Sequence, residues 1–272
     1  MSEEAPETAE LDELMRLIYR LESPAESKKL FKSVIRHRTV GIYNAMLVHI
    51  QCPEARLVMS ASEWRALGRR LKPDARPLVI LRAFGPVSFV FELNDTEGEP
   101  LPEDAQPFLL PPDSLAATGS ISNDQFLHCV RHCENLRINV VEQSGNILNA
   151  GGVINLGEDS FRITLNSDRP LAHRFATLCH ELAHVYCGHV GTCKPLGVTG
   201  RSLPHPACEA EAELVAYLVA MRHGIQMESE AYLTPHFRYP DAKLYSLDEV
   251  LKAAGKVEST LAGNFRKRPP SK

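Results

Sequence analysis

The stretch His180-Glu181-Leu182-Ala183-His184 decides how this chain is read. An α-helix completes a turn in 3.6 residues, so positions i and i+4 share a face. His180 and His184 therefore offer two imidazoles to one side of a helix, and Zn²⁺ binds such a pair at ~2.0–2.1 Å. Glu181 projects beside that face. It reaches a water activated there without being a ligand, which suits a general base. Chance alone would place this pattern in a chain of this composition with a probability of roughly 0.04. Its surroundings must therefore decide between a metal site and two merely buried histidines.

Those surroundings favour the metal. Phe175, Leu178, Leu182 and Val185 recur at helical spacing around the motif, predicting a helix from Arg169-Pro170 to about Gly188. Proline is well suited to its first turn. Three strand-like pieces precede it, at 136–141, 152–156 and 161–165, punctuated by Gly151-Gly152 and Gly157-Glu158-Asp159. A helix over 123–134 leads into them. A loop over 191–206 follows, then a helix over 209–223 stopped by Gly224, and a last amphipathic helix over 246–261.

A catalytic zinc site takes three protein ligands and keeps one position for water. The third ligand must come from Cys208-Glu-Ala-Glu-Ala-Glu213. Glu209 and Glu213 are four apart and share a face. Glu209 is the expected ligand. Glu213, one turn on, then either holds a ligating imidazole by its free N–H or replaces Glu209 as ligand. Glu211 is the third alternative. A solvated acidic face accounts for at least one of the three.

Cys179, Cys187, Cys193 and Cys208 flank the motif. Zinc accepts thiolate, but free cysteine is more often a small buried residue, and that is the expectation here. Cys129-Val-Arg-His132-Cys133 has half of a structural metal site and no matching second half. His189 and His205 are candidate oxyanion or proton-transfer groups, with a loop or surface position the more ordinary role for each.

The first half reads differently. Residues 1–10 form an acidic leader, and Leu14, Leu17, Ile18 and Leu21 predict a helix starting near Leu11. Helices follow over 27–38 and 42–50, with a fourth from Ser60 or Ser62 to Leu71. Two β-rich pieces, 77–81 and 87–91, flank Gly85-Pro86 and form a strand pair. Residues 94–112, rich in proline and acid, make the linker. Arg65, Arg69, Arg70, Lys72, Arg76 and Arg82 concentrate positive charge, the footprint that single-stranded DNA requires. Arg69 and Arg70 are the candidate contacts, and a solvated basic face is the plain alternative. Trp64, the one tryptophan, reads as core.

Composition narrows the classes. The 272 residues carry a net charge of −4, which excludes binding to nucleic acid through global charge. The seven cysteines are odd in number and scattered, which argues against a disulfide scaffold and for a reducing cytoplasm. The N-terminus lacks an export pattern. No apolar run approaches the ~20 residues of a membrane helix, so no membrane partner is expected.

The run Arg174-Phe-Ala-Thr-Leu-Cys-His-Glu-Leu-Ala-His184, then Gly188-His189, then the segment from Glu209 to Val219, resembles the ImmA/IrrE-type zinc metallopeptidases. The resemblance spans roughly 135–225. It implies a zinc site completed by a glutamate on the helix after the motif, and limited proteolysis of a specific regulatory protein such as a DNA-binding transcriptional repressor. Tyr43-Asn-Ala-Met-Leu47, Trp64, Gly68-Arg-Arg70 and Gly85-Pro-Val87 are more loosely similar to the N-terminal region of ArdC-type antirestriction proteins, which implies single-stranded DNA as a second partner. The expected fold is α+β: a zincin-like metallopeptidase domain over 113–264, built from a small sheet and the His180–His184 helix. A helical region with a short strand pair, 11–112, precedes it, and a basic tail over 265–272 follows. His180, His184 and Glu209 are its expected zinc ligands and Glu181 its base.

Overall fold

The computed structural model describes residues 24–82, 85–101, 120–145, 151–157, 159–227 and 245–262. The acidic leader, the helix expected from Leu11 and the basic tail lie outside them, as does most of the 94–112 linker. The chain divides into two compact units. The first comprises Met1–Val40 and Asn44–Phe108, the second Gly41–Tyr43 and Leu109–Lys272.

In the first unit, helix α1 (Pro24–Arg36) buries Leu30, Phe31, Val34 and Ile35, one apolar stripe at three- and four-residue spacing. Helix α2 (Ile42–Gln51) follows. A three-stranded antiparallel sheet has the order β1 (Val58–Met59), β4 (Gly85–Glu92), β3 (Leu78–Arg82). The outer edge of β3 is closed by side chains. Gln51 donates to Val79 O and accepts from Val79 N, both at 2.8 Å, and Asn44 does the same at Leu81, at 3.0 and 2.9 Å. The two amides are seven residues apart, two helical turns, and so reach alternate residues of one strand edge. They satisfy backbone groups that would otherwise invite another strand.

The expected helix to Leu71 stops short. Helix α3 (Ala61–Ala66) is fixed by a capping box between Ser60 and Glu63. Gly68, at φ +73°, then turns the chain into β2 (Arg69–Leu71), which pairs with β5 (Thr96–Gly98). Part of the expected linker is thus a strand, because its backbone partner lies 27 residues upstream. Trp64 is fully buried and donates its indole N–H to Phe91 O at 2.9 Å.

In the second unit, α4 (Asn123–Asn135) buries Phe126, Cys129 and Cys133. The sheet order is β6 (Ile138–Gln143), β8 (Ser160–Asn166), β7 (Gly151–Gly157). β6 runs parallel to β8 and β7 antiparallel to it. Alternation along β8 sends Phe161, Ile163 and Leu165 into the core at 0% exposure. Helix α5 (Leu171–Tyr186), which carries the motif, packs on β7 and β8. Helix α6 (His205–Arg222) packs on α5. Within 207–222 only Cys208, Glu209, Glu213 and Met221 escape full burial, so α6 is a core helix with one open strip. Helix α7 (Leu247–Leu261), capped by Ser246, covers α4, α5 and α6.

A buried ion pair ties α6 to α7: Arg222 Nε donates to Glu258 Oε1 at 2.8 Å. Removing one partner of such a pair leaves a desolvated charge, at a cost of about 3–5 kcal/mol. Glu258→Gln is expected to lower unfolding stability by about 3 kcal/mol, read by urea denaturation at neutral pH. A loss below about 1 kcal/mol would mean that the pair contributes nothing.

Candidate metal centre

The last turns of α5 face the first turns of α6. Nε2 of His180 and Nε2 of His184 lie 3.1 Å apart, and each is 3.4 Å from a carboxylate oxygen of Glu209. All three donors fall within 4.8 Å of one another. Four ligands at ~2.0–2.1 Å around a tetrahedral zinc stand about 3.3 Å apart, so the spacing suits that ion. The donor set, two imidazoles and a carboxylate, also matches what zinc takes in open sites. The side chains are 23%, 12% and 36% exposed, which leaves solvent access on the Glu209 side.

Electrostatics within the cluster follow from packing. Burial and the neighbouring His180 hold His184 down at about 4. Burial also opposes protonation of His180, but the carboxylates of Glu209, Glu181 and Glu213 together outweigh it and raise its pKa. Glu181 is only 6% exposed, and burial pushes its carboxyl up to about 7. Gly151, at the start of β7, makes room for this. A Cβ there would stand 2.6 Å from Thr177 Cγ2, 2.8 Å from Thr164 O and 3.5 Å from Glu181 Oε1. The edge of β7 that has no strand neighbour among the described residues therefore begins beside the carboxylate of Glu181.

Of the other two glutamates, Glu213 lies on the same strip as Glu209. Among the described residues its buried Oε2 has no hydrogen-bond partner, and burial raises its pKa. No hydrogen bond links it to either motif histidine among the described residues, though its charge and that of His180 act on one another. Glu211 points the other way and is fully buried. It accepts from His189 Nε2 at 3.0 Å, from Arg201 at 2.6 and 3.0 Å, and from Ser246 N at 2.9 Å. Cys187, His189 and Glu211 also gather donor atoms within 4.8 Å. The Arg201 guanidinium already supplies the cation that this carboxylate needs.

His189 departs from a surface role: its side chain is 2% exposed. The cause is a Schellman motif. Gly188, at φ +76°, lets His189 N donate to His184 O at 3.0 Å and Gly188 N to Val185 O at 3.1 Å. The chain folds back, and His189 Nδ1 meets His184 Nδ1 at 3.0 Å. The Gly188-His189 pair just past the predicted helix end was the available signal for this turn. Arg201 had none, since its partner lies ten residues on, across a loop. His205 sits on the first turn of α6, 83% exposed, with Nδ1 3.5 Å from Glu209 Oε1. Cys129, Cys133, Cys179, Cys187 and Cys193 are buried and all seven thiols are free.

Burial opposes ionisation of Glu211, but its bonds from His189, Arg201 and Ser246 prevail and hold it at about 2, against an ordinary 4.5. A folded value below the unfolded one stabilises the fold above the unfolded pKa. That stabilisation is lost as pH falls from about 5 toward 2 and amounts to about 3 kcal/mol. Denaturation from pH 6 to 3 is expected to show this decline, and Glu211→Gln to flatten it. Parallel slopes in the two proteins would remove the assignment.

In the first unit the candidate DNA contacts are engaged with the protein itself. Arg69 donates to Thr96 Oγ1, Thr96 O and Glu99 O, and Arg70 pairs with Glu97 at 2.9 Å.

Residues 133–233 match the family model of the IrrE N-terminal-like domain, Peptidase_M78. Two solved structures are similar to the chain, both of the antirestriction protein ArdC from plasmid R388. The metal-free form is 14% identical with a TM-score of 0.37, over 81% of this chain and 82% of that one. The Mn(II)-bound form is 17% identical with a TM-score of 0.40, over 82% and 85%. No curated protein matches the sequence significantly.

Proposed function

We propose that the second unit is a zinc-dependent endopeptidase that cleaves a specific regulatory protein. The observation that carries this reading is the geometry of His180, His184 and Glu209, three donors at tetrahedral spacing, with the Glu181 carboxyl on the same helix. The IrrE N-terminal-like match over 133–233 supports it. Zinc held by these donors would polarise the scissile carbonyl and lower the pKa of water toward ~7. Glu181 takes the proton of the attacking water and returns it to the leaving amine. An extended substrate adds to the edge of β7 that pairs with no strand among the described residues and starts at Gly151 beside Glu181. A DNA-binding repressor is the substrate class that the sequence resemblance implies. The free thiols fit a reducing cytoplasm. Among the described residues no helix is long and apolar enough to cross a membrane.

The test is to load the full chain with zinc and incubate it with a proteome-derived protein mixture, reading new N-termini by mass spectrometry. A small set of cuts that vanishes with a chelator is expected. No chelator-sensitive cut in any mixture would sink the reading.

A second reading, single-stranded DNA binding by the first unit, rests on one observation. Val79, Leu81, Val87 and Phe89 share the outer face of the β3–β4 pair, and Phe89 is 52% exposed. An exposed ring beside a basic segment is a stacking platform for bases. Salt-sensitive binding of an oligonucleotide that Phe89→Ala weakens would support it, and no binding at low salt would remove it.

A further inference from the structure

From the hydrogen-bond chain behind the metal centre we infer that His189 is a positioning residue. It fixes the tautomer and ring orientation of His184, and Glu211 and Arg201 hold it in place. This inference rests on the metal-binding reading above and adds to it the residues that set metal affinity.

The chain of bonds has one self-consistent proton arrangement. His184 turns Nε2 toward His180 and Glu209, so its lone pair on Nε2 must be free for a metal. In a neutral imidazole the proton then sits on Nδ1. That proton is donated across 3.0 Å to His189 Nδ1, which must accept. His189 therefore carries its proton on Nε2 and donates it to Glu211 Oε2 at 3.0 Å. Glu211 is acceptor only, because Arg201 and the backbone N–H of Ser246 fill its remaining positions. Reversing either tautomer leaves two N–H groups or two lone pairs facing each other in a buried contact. The arrangement is also rigid: His189 is 2% exposed and Glu211 0% exposed. The backbone of His189 is pinned to His184 O by the turn at Gly188. Arg201 also donates to Cys187 O at 3.3 Å, so the loop after α5 is tied to the same carboxylate. Outer partners of this kind typically change metal affinity about 10–100-fold when removed.

The experiment measures zinc affinity of the full chain by competition with a chromophoric chelator. His189→Leu keeps bulk and removes both hydrogen bonds. His189→Gln keeps an acceptor and a donor. The expected result is a loss of about 10–100-fold in affinity for His189→Leu, with recovery of most of it in His189→Gln. The visible spectrum of the cobalt-substituted protein should be altered in His189→Leu and close to wild type in His189→Gln. Equal affinity in all three proteins, or equal losses in both variants, would overturn the role. A wild-type chain that binds no zinc would overturn the metal reading along with it. Should His189→Leu fail to fold, ¹⁵N-histidine spectra of the wild-type zinc protein decide instead. A proton on Nδ1 of His184 and on Nε2 of His189 is expected, and the opposite tautomer of either would overturn the inference.

Discussion

Replacing Glu181 by glutamine is expected to cut peptide hydrolysis by about 10²–10⁴-fold, the range for loss of a general base. Glutamine has nearly the same shape but cannot take a proton. Glu181 is not among the three donors that gather at the centre, so zinc content should stay at the wild-type level. The two measurements together, turnover of a cleaved substrate and metal per chain, separate a lost base from a lost site. Retained turnover in Glu181→Gln would exclude the mechanism.

The second large effect concerns the third ligand. Glu209→Gln should weaken zinc binding by more than the about 10–100-fold typical of outer partners, because it replaces the carboxylate proposed as a direct donor by a neutral, weakly donating amide. Glu213→Gln should change affinity less than tenfold, within the lower limit of that range. It also swaps a buried carboxyl whose Oε2 has no hydrogen-bond partner among the described residues for a neutral amide, so folding stability should hold or rise. The reverse pattern, with zinc lost in Glu213→Gln and kept in Glu209→Gln, would move the ligand one turn along α6.

Both predictions depend on a contrast that only part of the chain's pattern announces. Glu209 and Glu213 are equivalent on a helical wheel, four residues apart on one face. What separates them is where α6 starts. The helix begins at His205, four residues before Glu209, and its first turns lie against the end of α5. That places Glu209 level with His180 and His184 and carries Glu213 past them. Helix packing in depth leaves no trace in local periodicity. Glu211 makes the same point from the opposite side. Its partners are His189, Arg201 and Ser246, from a turn, a loop and a helix cap. A helix wheel shows only that it faces away from Glu209.

Elsewhere the limits were set by backbone pairing. Strands β3 and β4 were legible from composition, although Gly85-Pro86, expected between them, opens β4 instead. β2 and β5 are three residues each and 27 apart at the paired Arg70 and Glu97, and neither is strand-like until the other lies beside it. The parallel pairing of β6 with β8, with β7 on the outer edge, is likewise a matter of topology.

The amino-acid order alone was enough for the motif helix, its apolar inner face and the two imidazoles one turn apart, because these depend on the 3.6-residue period and nothing else. It was also enough to confine the third donor to one short acidic run. Tertiary packing decided the rest: which glutamate meets the histidines, that Gly151 brings β7 onto Glu181, and that His189 is buried between His184 and Glu211. Those relations join residues from separate elements, and their energies come from desolvation and hydrogen bonds that exist only once the elements are packed together.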